Sequence, residues 1–133
     1  MGKKKRDAET VQGGFFALPS LLMEHREFRE LTPSALKVLM VLISQYKGSN
    51  NGDLAATHSM MKDWGGMAEG TLGKSLRELQ ERDLIIKSRQ NRKGREGARC
   101  ALYALTWRRI DECPGKDLCI RPTIVASRKL SKA

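Results

Sequence analysis

Apolar and polar positions follow a helical period over residues 32–46. Thr32-Pro33-Ser34 opens it. The Thr32 hydroxyl can accept from an orphan backbone N–H, and Pro33 suits the first helical position. Leu31 and Leu36 fall at the two positions of a hydrophobic staple. Leu36, Leu39, Met40 and Ile43 recur at i, i+3, i+4, i+7, while Val38, Val41, Leu42 and Tyr46 widen the stripe nearly all round. A helix this apolar is expected to be central and buried. Gly48 is placed just past its end, and Ser49-Asn50-Asn51-Gly52 reads as a turn.

Upstream, Phe15, Phe16 and Leu18 begin the ordered part, and Pro19 suits the first position of a short helix whose apolar face carries Leu21, Leu22 and Met23. Phe28 and Leu31 are expected to pack in the loop that follows. Downstream, Thr57 can cap a short helix with Met60, Met61 and Trp64, closed by Gly65-Gly66. Residues 68–82 then place Leu72, Leu76 and Leu79 on one helical face, with Glu69, Gly70, Thr71, Gly73, Lys74, Ser75 and Arg77 opposite. At Leu84-Ile85-Ile86 the composition turns β-branched. Tyr103, Leu105 and Trp107 alternate on one face of a second strand. Residues 90–98 between the strands are rich in Gly and Arg, so the pair reads as a β-hairpin with a basic tip.

The chain has 133 residues, enough for one domain with a modest core. Its 25 Lys+Arg against 15 Asp+Glu give +10, which calls for a polyanionic partner, nucleic acid or an anionic membrane face. The surplus is not spread evenly. Residues 24–83 are nearly neutral, whereas Lys87, Arg89, Arg92, Lys93, Arg95 and Arg99 face only Glu96 in residues 87–99. Like charges crowded there repel one another unless something neutralises them. Residues 1–12 form a basic, weakly hydrophobic tail expected to be disordered, 13–110 the domain, and 111–133 an irregular basic tail broken by Pro114 and Pro122.

The longest apolar run, in 38–44, is far too short for a membrane span, and no secretory signal is expected. A cytoplasmic protein is expected. Cys100, Cys113 and Cys119 match no zinc spacing and are read as reduced thiols, so a zinc finger and a disulfide scaffold are both excluded. No nucleophile–base pair, paired carboxylates, cofactor motif or metal cluster stands out, so no enzyme, cofactor or metal is expected. Gly70-Thr71-Leu72-Gly73-Lys74-Ser75 ends in Gly-Lys-Ser, but a phosphate loop needs its first glycine further upstream and a preceding strand. His25 and His58 are isolated and suit surface or capping positions, while Trp64 and Trp107 are expected in the core.

Three helices followed by a basic hairpin is the order of a winged helix-turn-helix, an α+β fold. Leu36–Tyr46, Asn50-Asn51-Gly52, Trp64-Gly65-Gly66, Thr71-Leu72 and Leu79–Ile85 together resemble that family, as found in small phage or mobile-element proteins and plasmid replication initiators. The run from Leu76 to Ile85 is similar to the end of the family's recognition helix, and Tyr103-Ala104-Leu105-Thr106-Trp107 to its second wing strand. Asp83 stands where the family pattern most often has glycine, a position that needs a left-handed or turn conformation. Either Gly65 or Gly66 can serve as the turn glycine. The gap to Thr71 is one residue longer than usual with the first, and Lys62 replaces a small residue with the second.

The resemblance implies binding of double-stranded DNA by a transcriptional regulator or replication-associated factor. The helix at about 68–82 would enter the major groove and the wing at 87–99 would lie on the phosphates. The residues expected to touch DNA are Thr71, Lys74, Ser75 and Arg77 on the helix, and Arg89, Arg92, Lys93, Arg95 and Arg99 on the wing. Arg77 could instead pair with Glu81 at i, i+4, and Glu69 suits the helix N-terminus. The alternative is a protein-interaction adaptor docking an acidic partner. RNA binding through the basic tails is disfavoured because exposed aromatics for stacking are scarce, aromatics being only 5% of residues. A monomer, or a weak homodimer through the N-terminal helix, is expected.

Overall fold

The computed structural model describes residues 12–91, 99–123 and 125–127. Five α-helices, α1 (Ser20–Glu24), α2 (Arg26–Arg29), α3 (Pro33–Gln45), α4 (His58–Met61) and α5 (Glu69–Glu81), precede two strands, β1 (Ile85–Arg89) and β2 (Leu102–Leu105). The fold is α+β. All but one of the residues expected to form the disordered tail at 1–12 lie outside the described residues, as do Arg92, Lys93 and Arg95 of the hairpin loop.

α3 begins as its sequence dictates: the Thr32 hydroxyl accepts from the Ala35 N–H at 3.3 Å, and Pro33 occupies the first turn. Ala35, Val38, Leu39, Val41, Leu42 and Ile43 are buried. Leu36 and Met40 stay at the surface, so the buried sector is rotated from the expected stripe towards the side where α5 packs. The helix ends at Gln45, three residues before Gly48. The Gln45 amide then pairs with the backbone of Ala55, donating to its carbonyl at 2.6 Å and accepting from its N–H at 2.9 Å.

Thr57 caps α4 by accepting from Met60 N–H at 3.2 Å. A short 3-10 turn over Lys62–Trp64 follows, and Gly65 and Gly66 both take positive φ, 94° and 84°. The turn therefore uses both glycines. α5 closes with a Schellman motif: Leu84 N–H donates to Leu79 O and Asp83 N–H to Gln80 O, both at 3.0 Å. Asp83 takes the left-handed position at φ 58°, and Leu79 and Leu84 are fully buried beneath it. An aspartate fills the place of the usual glycine because its short polar side chain tolerates that conformation better than most.

β1 and β2 pair antiparallel with Ile85 opposite Leu105 and Lys87 opposite Tyr103, and a bulge at Ser88 shifts the register. Leu54 exchanges two backbone hydrogen bonds with Tyr103, so a single residue from the α3–α4 connection flanks β2 on its other side. Side chains from α1, α3, α4, α5 and both strands share one core, which includes Trp107; Trp64 packs on it from the edge.

The Asn50-Asn51 turn holds more than a change of direction. Asn51 is fully buried, donates through Nδ2 to the carbonyls of Leu105 and Arg109 at 2.9 and 2.7 Å, and accepts from Leu105 N–H at 2.7 Å. Its backbone also exchanges hydrogen bonds with Asp111. The segment expected as an irregular tail from 111 is thereby tied down. Thr123 bonds Ile110 through both backbone and hydroxyl, and Cys119 N–H donates to Ser88 O at 2.7 Å. Its described residues form no helix or strand, yet they are fastened to the base of the hairpin.

Candidate nucleic-acid interface

α5 divides by face. Leu72, Ser75 and Leu79 point into the core and Leu76 lies at its edge. Gly70, Lys74, Arg77 and Glu81, spaced i, i+4, i+7 and i+11, are exposed along the opposite side. Ser75 corrects the expected contact set: it is 3% exposed, and its hydroxyl donates to Thr71 O at 2.8 Å. At about 100° per residue it falls about 40° from Leu79 and about 60° from Leu72, at the edge of the leucine face, which claims it. Thr71 is half-buried.

The charges along α5 differ in how they are used. In the C-terminal half, Glu78 accepts from Thr32 N–H at 3.0 Å and from its hydroxyl at 2.8 Å. Arg82 reaches Glu27 at 2.9 Å and Glu78 at 3.5 Å, binding α5 to α2. Burial pushes the Glu78 carboxyl up, but the Thr32 N–H and hydroxyl together with the Arg82 guanidinium more than offset this, and its pKa is lowered.

On the exposed side, Lys74 and Arg77 have no ion-pair partner within 4.0 Å among the described residues, and the expected Arg77–Glu81 pair is not formed. A Cβ built on Gly70 or Gly73 would meet nothing within 4 Å. Another molecule's backbone can approach the helix closely there. Glu69 stands in the first turn of α5, its carboxylate 4.0 Å from His58 Nδ1, where a negative charge suits the helix dipole. His25 caps α2 by accepting from Glu27 N–H.

Two of the expected wing contacts have internal roles. The Arg89 guanidinium donates to Cys100 O from Nε and NH2, at 3.1 and 2.8 Å, and to Lys116 O from NH1 at 3.1 Å. Arg99 pairs with Asp117 at 2.9 Å, and its buried Nε has no hydrogen-bond partner among the described residues. Both clamp the hairpin base to the 116–119 segment. Lys87, further down β1, lies 6.0 Å from the centre of the Tyr103 ring. The described residues thus bring Arg89 and Arg99 together, and separately Lys74 and Arg77, with no hydrogen bond or ion pair joining the two sets.

Among the described residues, no group of three or more His, Cys, Asp or Glu side chains is placed to hold a metal ion. Burial pushes the Cys113 thiol up, and the carboxylates of Asp53 and Asp111 add to this against Lys116. It is a protonated thiol at neutral pH, without the thiolate character a nucleophile needs. No described helix is long and apolar enough to cross a membrane. Comparison of the chain with protein-family models, curated proteins and solved structures returned no match.

Proposed function

We propose that the chain is a winged helix-turn-helix protein that binds double-stranded DNA. It inserts the exposed face of α5 into the major groove and lays the basic hairpin loop on the phosphate backbone. The observation that carries this reading is the unequal use of charge along α5. Glu78 and Arg82 are committed to internal partners, whereas Lys74 and Arg77 on the exposed side have no ion pair among the described residues and stand beside two glycines with open space above them. A helix about 12 Å across fits the major groove, and a bare backbone with flanking cations is what such an approach needs. The order helix, single bridging residue, helix, helix, hairpin supports the same reading. So does the concentration of positive charge in 87–99.

Selection of bound sequences from a random duplex pool tests it, and one enriched motif is expected. Replacing Lys74 and Arg77 together by Ala should weaken binding to that motif by tenfold or more, since each base-edge contact is worth about 1–3 kcal/mol. Ser75→Ala should leave the affinity unchanged. No enrichment, or full affinity in the double variant, would overturn the proposal.

A further inference from the structure

Four of the chain's seven aromatic residues meet at one cleft. It has a volume of about 460 Å³ and opens between residues 13–19, the end of α3 and the end of β2. Phe15, Phe16, Tyr46 and Trp107 line it with Lys47 and Arg108. No carboxylate is among its lining residues. Phe15 and Phe16 stand out at 80% and 54% exposure, whereas Ile43, Leu105 and Trp107 beneath them are already packed into the core. Exposed rings of this size side by side on a charged protein mark a surface with a partner.

The chemistry narrows that partner. The Arg108 guanidinium lies 5.4 Å from the centre of the Tyr46 ring, and its Nε donates to the Tyr46 hydroxyl at 3.1 Å. The cation is thus held as a flat plate beside an aromatic face. A Cβ on Gly13, Gly14 or Gly48 would meet nothing within 4 Å, so the rim also admits close approach. The cleft is lined by Lys47 and Arg108 as well as by rings, and its most accessible aromatic surface, Phe15 and Phe16, stands out at the edge instead of closing an apolar pocket for a peptide anchor. Protruding rings interleaved with cations suit unpaired bases, which offer a π-face for stacking and a phosphate for the charge. Bases within a duplex already stack on each other and cannot use these rings. A second copy of this chain, itself at +10, would be repelled.

We propose that this cleft binds single-stranded nucleic acid, with bases stacked on Phe15 and Phe16 and phosphates held by Lys47 and Arg108. The proposal does not rest on the duplex reading of α5. It also revises the expectation drawn from the low aromatic content: the rings are few, but they are gathered in one place.

Fluorescence anisotropy of the full chain with labelled thymidine and uridine dodecamers tests it, the two arms separating DNA from RNA. A Phe15→Ala/Phe16→Ala variant should lose roughly 5- to 100-fold in affinity for at least one strand. Arg108→Ala should lose affinity and flatten the salt dependence, and Arg108→Lys should restore the slope but not the full affinity. Because Phe15 and Phe16 are exposed, thermal unfolding of their variant should match the parent. Lys74→Ala/Arg77→Ala should bind the single strands unchanged, which separates this cleft from the α5 face. Absence of binding to both strands, parental affinity in the phenylalanine variant, or loss of binding in the α5 variant would overturn the proposal. Displacement of the strand by an acidic amphipathic peptide, with the same sensitivity to the phenylalanine variant, would overturn it in favour of a protein partner.

Discussion

The Glu78 carboxylate accepts two hydrogen bonds from Thr32, one from its backbone N–H and one from its hydroxyl, at 3.0 and 2.8 Å. The same hydroxyl accepts from Ala35 N–H, so a side chain of α5 orients the residue that caps α3. The two helices at the centre of the fold are locked end to flank. Glu78→Ala is expected to cost about 1–2 kcal/mol, and Thr32→Ala about 1 kcal/mol. Urea denaturation of the double variant should show less than the sum of the two, because each change removes the same contact. Strict additivity would show that the pair is not coupled.

The same contact sets an acid dependence. The Glu78 pKa is lowered in the folded chain, so the carboxylate favours the folded state. Its contribution is fully present above the ordinary glutamate value, 4.5, and is lost as pH falls through the lower folded value. Urea midpoints followed from neutral pH down to about 3 should fall less steeply in Glu78→Gln than in the parent. A parallel fall would assign the acid sensitivity to other carboxylates.

Asn51 joins the turn after α3 to residues 105–111, far away in the chain. Its side chain satisfies Leu105 N–H and the carbonyls of Leu105 and Arg109 from a fully buried position. Asn51→Leu has a similar shape but leaves those groups without partners, and a loss of at least about 3 kcal/mol is expected. Asn51→Asp should be no better, because its carboxylate would face two carbonyls. Guanidinium unfolding measures both, and a change within about 1 kcal/mol would contradict the hub role.

The parts of this fold that were legible in the sequence are those governed by local chemistry. Thr32-Pro33 and Thr57 begin their helices where their caps place them, and Gly65-Gly66 makes the turn before α5. What escaped the sequence depends on neighbours distant in the chain. Asn51 has the signature of a turn, and nothing local marks it as the buried partner of Leu105 and Arg109. The segment after Asp111 has no hydrophobic period, because backbone hydrogen bonds such as Cys119 to Ser88 hold it. Ser75 reads as solvent-facing by its polarity, although at about 100° per residue it sits only about 40° from Leu79 and is buried. Arg89 and Arg99 counted as free cations until Cys100, Lys116 and Asp117 were placed beside them. The clustering of Phe15 and Phe16 with Tyr46 and Trp107 needs the tertiary fold to bring 15 and 107 together.

The account as a whole turns on whether helix and hairpin loop grip one duplex. The most direct measurement is the salt dependence of affinity for the selected duplex, in the parent chain and in the variant with Arg92, Lys93 and Arg95 replaced by Ala. Neutralising about five to eight phosphates predicts a slope of roughly −4 to −7 in the parent, flattened by about 2–3 in the variant. A slope near zero in the parent, or one unchanged in the variant, would contradict the claim.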